Sequence, residues 1–465
     1  MAKGLKKMFE VQDMTVGSPM SNLVQFSIPL LIGNLAQQLY STVDSIVVGK
    51  YVGDTALAAV GASGPIINLL IVFFVGISTG AGIMVSQYFG AKQEEQLSKT
   101  MGNCITLTFI CGLIMMIGGV LLTKPLLNLL NTPADIYDMA ADYMIITFIG
   151  IIGSGYYNII SGVLRGLGDS VSPLIFLLVA CGLNTVLDIW FVAGLQMGVA
   201  GAAWATIISQ FISAILCLVR LMSMKGVLKI NASTLKLDKF YSLQIARLGL
   251  PSGITQVIFS MAMILVQSLT NSMGTNLIAA NTVVMRVDGF AMMPNFTFGT
   301  AMTTFAGQNI GAGLLDRVHK GTKDGLKLGL GVSALLVVCI LIFGESLMRL
   351  FTTTEVVIEI GMTMLRTLAV GYVAMAVTQI LSGVMRGAGD TMTPMWISLI
   401  TTVVVRVPIA YAWAYLTRSE LYPAGAHSAI FGSLLVSWVV GAIMTAFFYT
   451  RGKWRNKAIT TQANS

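Results

Sequence analysis

The chain of 465 residues contains one distinctive stretch twice. Residues 161–173 recur as residues 382–394, with eight of the thirteen positions identical and conservative replacements at the others. The copies lie 221 residues apart, close to half the chain, and pairs such as Gly53 with Gly274 and Gln87 with Gln308 keep that spacing. An internal repeat on this scale predicts a fold of two similar units of about 220 residues each.

The composition excludes a water-soluble fold for these units. Charged residues make up 10% of the chain, against roughly 25% in soluble domains. Hydrophobic residues reach 55%, and the mean hydropathy is +0.81. The chain therefore belongs to the class of polytopic helical membrane proteins.

Apolar runs divide each repeat into six predicted transmembrane spans. The runs lie at residues 22–49, 55–85, 101–123, 137–164, 174–194, 199–222, 244–272, 276–306, 325–344, 358–385, 395–416 and 425–449. The predicted fold class is all-α integral membrane, with twelve transmembrane helices in two six-helix lobes. Because six is an even number, both lobes enter the membrane in the same orientation, which predicts a pseudo-two-fold axis along the membrane normal.

The distribution of charge predicts the topology. Most of the 28 lysines and arginines lie on one side of the predicted spans when the N-terminus is placed inside the cell, as the positive-inside rule requires. We therefore expect a multi-pass cell-membrane protein with both termini cytoplasmic, and the net charge of +8 is a topology signal rather than a sign of nucleic-acid binding. No cleaved leader is expected, because the first apolar run is too long.

The predicted organisation has four parts: an N-terminal lobe at 1–222, a cytoplasmic linker at 223–243, a C-terminal lobe at 244–450 and a cytoplasmic tail at 451–465. Pro29 lies near the inner end of the first span. A proline inside a helix removes a backbone hydrogen bond and bends the helix, so a kink is predicted there.

Motifs of soluble enzymes are absent from the sequence. There is no P-loop, and the two histidines, His319 and His427, are far apart without a metalloprotease pattern. Neither an enzyme activity nor a cofactor is predicted. The five cysteines all lie in apolar runs without a CxxC pair, so buried structural thiols are expected. The two Arg-Gly-x-Gly-Asp turns lack the Lys-Ser/Thr of a phosphate loop and are predicted to be structural turns.

Ionisable residues inside the spans are the strongest functional candidates, because each costs about 3 kcal/mol or more at mid-membrane. Asp44 and Asp188 each lie about six residues from the outer end of a span, roughly 9 Å deep. Tyr40 is one turn below Asp44, Asn184 is one turn below Asp188, and Thr206 reaches the same level on the next span. These five side chains are predicted to converge in the first lobe.

Such a cluster suits a coupling ion. A buried carboxyl group takes up a proton more readily than one in water, so two of them can load and release protons near neutral pH. The oxygens of Asp44, Asp188, Asn184 and Thr206 can also hold Na⁺, and no other metal is predicted. The simpler alternative is that each acid is a hydrogen-bonded core residue.

The second half lacks both acids, since Leu265 and Ile409 stand at the matching positions. The two lobes are therefore predicted to differ in role. Arg286, Asp288 and Arg406 are the ionisable residues of spans eight and eleven. They are either substrate contacts or members of structural ion pairs. Because Arg286 and Asp288 are two residues apart on a helix, they require separate partners.

These features together resemble the MATE family of multidrug and toxic-compound extrusion transporters over about residues 20–450. The resemblance rests on the twelve-span duplication, both Arg-Gly-x-Gly-Asp turns, the Gln-x-x-Gly-Ala segments at 87–91 and 308–312, and the Asn-Thr-Val-Leu-Asp segment at 184–188. Pro29 and Asp44 in the first helix are similar to the DinF-like branch, which includes MepA-like exporters.

The resemblance implies a secondary antiporter that exports amphipathic or cationic drugs or toxic metabolites in exchange for H⁺ or Na⁺. Its partners would be the small-molecule substrate, the ion and the lipid bilayer, with no nucleic acid, and the protein would act as a monomer. The family's cation site carries over onto the five residues named above, and Asn158 is a further carry-over. Polar candidates for a substrate cavity are Gln37, Asn158, Gln256, Arg286 and Gln379.

Two departures from the family pattern affect these expectations. Phe259 and Met375 stand about where NorM-type members carry acids, so coupling through a carboxylate at those second-lobe positions is not expected. Ile189 replaces the proline that usually follows the acid of helix five, which removes the proline kink beside Asp188.

Three alternatives remain open from the sequence. A flippase for lipid-linked precursors belongs to the same superfamily and requires a cationic central cavity. Arg286 and Arg406 alone are weak support for such a cavity. An intramembrane enzyme such as a prenyl transferase requires clustered carboxylates such as D-D-x-x-D, which do not occur here. A passive channel is disfavoured by the two-lobed plan and the asymmetric acids.

Overall fold

A computed structural model describes residues 11–224, 231, 233–420 and 422–462. The N-terminal lysines Lys3, Lys6 and Lys7, the linker residues 225–230 and 232, and the last three residues of the predicted tail lie outside the described residues. The described chain is helical and contains no β-strand. The predicted all-α class is therefore confirmed.

Fourteen long or medium α-helices follow one another in the described chain. They are α1 (Pro19–Tyr51), α2 (Asp54–Gly90), α3 (Glu94–Leu129), α4 (Ala134–Ile149), α5 (Ile151–Leu167), α6 (Val171–Asp188), α7 (Gly198–Ser223), α8 (Lys239–Ser272), α9 (Thr275–Gly311), α10 (Leu315–Arg349), α11 (Glu355–Gly387), α12 (Met392–Leu399), α13 (Arg406–Leu416) and α14 (Ser428–Arg451). A 3₁₀ turn at Lys453–Asn456 and the short α15 (Ile459–Gln462) end the described part.

The fifth span of each half contains one π-helical segment. Ile189–Gly194 continues α6, and Ile400–Val405 joins α12 to α13. Each span thus remains continuous, as Val171–Gly194 and Met392–Leu416. A π segment widens the helix locally and often occurs at functional sites.

Ten spans among the described residues are long and apolar enough to cross a membrane, if the bent pair α4–α5 is one span. The other two predicted spans correspond to α1 and α9, which contain 33 and 37 residues. Both exceed the roughly 20 residues that a crossing requires, but they are less apolar than the ten.

The fourth span is broken, whereas the sequence predicted one continuous helix at 137–164. Helices α4 and α5 meet at Gly150 with a bend of 50°. A Cβ atom at position 150 would lie 2.2 Å from the side chain of Ile207 on α7. Close packing at this point requires glycine, which is a poor helix former, and the helix bends there.

The described residues form two compact units. The first contains those within Met1–Asp13 and Ile28–Gly253, and the second contains those within Met14–Ser27 and Ile254–Ser465. The first turns of α1 therefore belong to the second unit, and the first turns of α8 belong to the first.

The duplicated Arg-Gly-x-Gly-Asp turns have the same backbone geometry. Gly168 and Gly389 adopt left-handed conformations with φ of +97° and +95°, which glycine reaches without steric cost. The following aspartates cap the next helix: Asp169 accepts hydrogen bonds from the backbone N–H and hydroxyl of Ser172, and Asp390 accepts the same pair from Thr393. These contacts give the motif a capping role.

Glycines allow α2 and the start of α8 to approach closely within the first unit. A Cβ atom at Gly80 would lie 2.3 Å from the carbonyl oxygen of Ile245 and 2.7 Å from the amide nitrogen of Gly249. The obstacle is backbone, so no side-chain rotation can relieve it. Small residues at such contacts are typical of helix packing in lipid.

We expect Gly80→Ala to destabilise the protein by about 1–3 kcal/mol, the usual cost of overpacking. Gly64→Ala on the same helix is the matched control, because no atom of the described chain outside its own helix lies within 4 Å of a Cβ there. Thermal unfolding of both variants in detergent measures the difference. Equal melting temperatures would show that the two helices are not held at this contact.

The cysteines agree only partly with the prediction of buried thiols. All five are free; Cys104 and Cys217 are buried, and Cys111 and Cys181 are half-buried. Cys339 on α10 is exposed, so the prediction is wrong for that residue. A thiol is a small, weakly polar group, and an apolar environment accepts it at a surface as readily as in a core.

Candidate functional site

The first unit brings Asp44 and Asp188 together. Asp44 lies on α1, seven residues before its end at Tyr51, and Asp188 is the last residue of α6. The two carboxyl groups lie within hydrogen-bonding reach of each other. The sequence analysis predicted that these two residues lie at one depth, and the structure brings their side chains together.

Asn184 and Thr206 complete one side of this pair. The side-chain amide of Asn184 lies between the two residues Asp188 and Thr206. In the orientation that satisfies both its ends, its N–H donates to Asp188 Oδ2 at 3.0 Å and its carbonyl accepts from the backbone N–H of Thr206 at 3.3 Å. Asn184 and Asp188 are both fully buried. Asn184 thus fixes one oxygen of Asp188.

Two tyrosines close the cluster. The Tyr40 hydroxyl on α1 lies beside Thr206, although not in hydrogen-bonding geometry. Tyr143 on α4 lies near both carboxyl groups, and the sequence analysis did not identify it. Its signal was weak, because a tyrosine in an apolar span is usually a packing residue. Its depth in the fourth span, matched with that of Asp44, was the observation that would have found it.

Three oxygens of the cluster are buried without a hydrogen-bond partner among the described residues. They are Asp44 Oδ1, Asp188 Oδ1 and Tyr40 Oη. Each unsatisfied buried group costs roughly 1–3 kcal/mol, and two ionised carboxylates side by side repel each other. A proton held between the carboxyl groups, or a cation bound by the unpaired oxygens, removes both costs.

The donor set fits a hard monovalent cation better than a transition metal. It consists of carboxylate, amide, hydroxyl and phenol oxygens, and oxygen ligands suit hard cations. Within the described ranges, no group of three or more His, Cys, Asp or Glu side chains is placed to hold a metal ion. The cluster can therefore accept protons or Na⁺ by the same oxygens.

The helix geometry beside Asp188 is irregular even though a proline is missing there. The π segment Ile189–Gly194 begins directly after Asp188. The wider turn of a π segment makes the helix irregular at this point without a proline. The predicted kink at Pro29 stays a prediction: α1 is one uninterrupted helix through that residue.

The predicted substrate-cavity residues have diverse surroundings. Gln37, on α1, is exposed, and Asn158 on α5 donates to the carbonyl of Ser154 at 2.9 Å. In the second unit, Gln256 and Arg286 are exposed, whereas Gln379 is buried against α9. Each of the two units holds only part of this set, and a shared cavity stays a prediction.

Comparison with known proteins shows the family. The MatE family model matches the chain twice, at residues 29–190 and 251–412, which are the two copies of the repeat. The "Probable multidrug resistance protein YoeA" of Bacillus subtilis (strain 168) is 31% identical over 448 residues, 94% of each chain. The "Probable multidrug resistance protein YpnP" of the same organism is 32% identical over 455 residues, 97% of this chain and 99% of the relative.

A solved structure agrees with these matches. It is described as the "Outward-facing conformation of a multidrug resistance MATE family transporter of the MOP superfamily", and it covers 95% of this chain and 97% of its own, with a TM-score of 0.87 and 25% identity. This likeness confirms the predicted fold class of twelve transmembrane helices in two lobes. The chain therefore belongs to the MATE family of multidrug efflux transporters, and it is a membrane transporter rather than an enzyme.

Proposed function

We propose that the protein is a secondary antiporter that exports amphipathic, cationic compounds in exchange for H⁺ or Na⁺. The observation that carries this proposal is the pair of half-buried Asp44 and buried Asp188, whose carboxyl groups each keep one buried oxygen without a partner among the described residues. Buried acids without an ion-pair partner are costly in a membrane. In a transporter, such acids can bind a cation on one side of the membrane and release it on the other.

The ion acts by changing the charge of the site. When both carboxylates are ionised, up to two negative charges favour a cationic compound in the first unit. Protonation, or binding of Na⁺, removes that charge and weakens the hold on the compound. A ligand shifts a conformational equilibrium only by its differential affinity for the two states, so the coupling depends on this change of charge.

The driving force is sufficient for useful export. Exchange of two monovalent ions, one for each carboxyl group, for one monovalent organic cation moves one net charge inward, which supplies about 2.3 kcal/mol at 100 mV. Since a tenfold concentration ratio corresponds to about 1.4 kcal/mol, this supports roughly a fortyfold gradient of the exported compound. No nucleotide is required.

The proposal includes the organisation predicted from the sequence. The lobes would be 1–222 and 244–450, joined by the cytoplasmic linker, with both termini cytoplasmic in the cell membrane and a monomer as the working form. Movement would begin in the first lobe, most readily at the Pro29 kink of α1, because the coupling acids lie there. The polar side chains Gln37 and Asn158 would contribute to the path of the substrate on that side.

Purified protein in liposomes tests the proposal. We expect a fluorescent amphipathic cation to move against its gradient when an inward H⁺ or Na⁺ gradient is imposed, and not when neither is present. Applying each gradient alone identifies the coupling ion. Transport that follows only the gradient of the compound itself would indicate a channel and contradict antiport.

A further inference from the structure

A second polar cluster lies in the second unit, away from the Asp44 and Asp188 pair. A cavity of about 30 Å³ lies between α8, α9, α11, α13 and α14. Polar and apolar side chains share its wall. The side chains of Gln267, Asn281, Met285, Asp288 and Arg406 are part of this wall. We call this space the Arg406 cavity.

Arg406 is the most unusual member of its wall. It is the first residue of α13 and directly follows the π segment Ile400–Val405. Its guanidinium makes no ion pair or hydrogen bond within the described chain, and its Nε atom is buried without a partner. Arg406 as a whole is half-buried, but a charged donor atom that is buried without a partner costs more than a neutral one. The Nε donor therefore lacks an acceptor among the described residues, and a ligand in the cavity can supply one.

Asp288 faces the same cavity but does not supply that acceptor. Its carboxylate accepts a hydrogen bond from the Tyr372 hydroxyl, and only 8% of the residue is exposed. No ion pair within 4.0 Å joins Asp288 to Arg406 in the part of the chain that the structure describes, although their charges interact. The cavity thus presents a positive and a negative group that are held apart.

The remaining wall is amphipathic. Gln267 and Asn281 offer amide groups, while Met263 and Met285 are 45% and 37% exposed and supply flexible apolar surface. Methionine side chains adapt to ligands of different shapes. A cavity of about 30 Å³ admits a small charged group rather than a whole drug-sized molecule. The body of a ligand would lie outside, against these methionines.

A water molecule between Arg406 and Asp288 is the simplest alternative occupant. The cavity is large enough for one water. A carboxylate fits Arg406 better, because its two oxygens match the fork of guanidinium donors. A cationic group on the same ligand would face Asp288.

We propose that the Arg406 cavity binds the charged end of a zwitterionic amphipathic compound, with its carboxylate on Arg406 and its cationic part toward Asp288. This inference rests on the proposed function only in taking the ligand from the class of exported compounds. Within that class it concerns compounds that also carry a carboxylate. It assigns their recognition to the second unit, which has no acids at the positions of Asp44 and Asp188.

Two dyes that differ by one methyl ester provide the test. Rhodamine 110 carries a free carboxylate beside its cationic ring system, and rhodamine 123 is its methyl ester. We would measure binding of both to the purified full-length protein in detergent by fluorescence polarisation, without any gradient. Since hydrogen bonds to charged groups are among the stronger polar contacts, rhodamine 110 is expected to bind about tenfold more tightly.

Variants assign that preference to Arg406. We expect Arg406→Gln to bind both dyes equally, because the carboxylate loses its partner. Arg366→Gln on α11 is the matched control: Arg366 is exposed and does not line the cavity, so the tenfold preference should remain. If Arg406→Gln does not fold, Arg406→Lys keeps the charge without the planar fork, and the preference is expected to fall to about threefold.

Several results would overturn the inference. Equal affinities of the wild type for the two dyes, or a preference that survives in Arg406→Gln, would leave Arg406 and Asp288 as a structural pair bridged by water. Displacement of rhodamine 110 by micromolar acetate would show that the cavity takes a free small acid instead. Because binding is measured without a gradient, failure of ion coupling at Asp44 and Asp188 would not affect these readings.

Discussion

Asp188→Asn is expected to abolish gradient-driven export. At 100 mV, the accumulation ratio should fall from roughly fortyfold to about one, because the variant cannot exchange a proton or bind a cation through that carboxylate. Asparagine keeps the size of the side chain and can still accept the hydrogen bond from Asn184 Nδ2. The change therefore removes the charge with little disturbance of packing.

Asp44→Asn should have the same effect, since the two carboxyl groups act as one unit. The matched control is Asp142→Asn on α4, an exposed aspartate of the first unit. Uptake of dye into liposomes under an imposed H⁺ or Na⁺ gradient measures all three variants, and detergent-solubilised protein confirms equal amounts in the membrane. Full transport by Asp188→Asn would mean that the acid is only a hydrogen-bonded core residue.

The fold class could be predicted from the sequence because the patterns that indicate it are long and repeated. Twelve apolar runs and a 221-residue repeat each involve many side chains, so a local irregularity such as the π segment Ile189–Gly194 does not disturb them. The bend at Gly150 escaped prediction for the opposite reason. The bend depends on one close contact with Ile207, which is far away in the sequence. An isolated glycine in an apolar run does not indicate which residue it will contact.

The sequence predicted the depth of the candidate site residues, but not the direction in which their side chains point. Counting residues from the end of a span gives the level of a side chain in the membrane, and on that basis Asp44 and Asp188 were placed together. The rotation of each helix about its axis is set by packing and cannot be counted. For that reason Tyr143 escaped the sequence analysis, and Tyr372 was not recognised as the partner of Asp288.

The duplication also shows where the two halves differ in structure. The first Arg-Gly-x-Gly-Asp turn contains a buried ion pair: Arg220 on α7 lies 3.0 Å from Asp169 and also donates to the Ser172 hydroxyl. The Asp169 side chain is 1% exposed, and that of Arg220 is 23% exposed. In the second turn, Asp390 caps its helix through Thr393. It makes no ion pair with any residue that the structure describes, and the position 221 residues after Arg220 is Gly441.

Because only the first turn contains this ion pair, the second turn is a control for the first. Asp169→Asn should destabilise the protein by about 3 kcal/mol, the lower end of the cost of breaking a buried ion pair, because Arg220 remains partly accessible to solvent. Asp390→Asn, which keeps an oxygen to cap the helix and breaks no ion pair, should cost at most about 1 kcal/mol. Thermal unfolding of both variants in the same detergent gives the comparison. The double variant Asp169→Asn with Arg220→Gln should recover part of the lost stability, because it removes the arginine charge that Asp169→Asn leaves without its carboxylate. Equal shifts for Asp169→Asn and Asp390→Asn would show that capping, and not the ion pair, holds these turns, and that the halves share one mode of stabilisation despite their different charges.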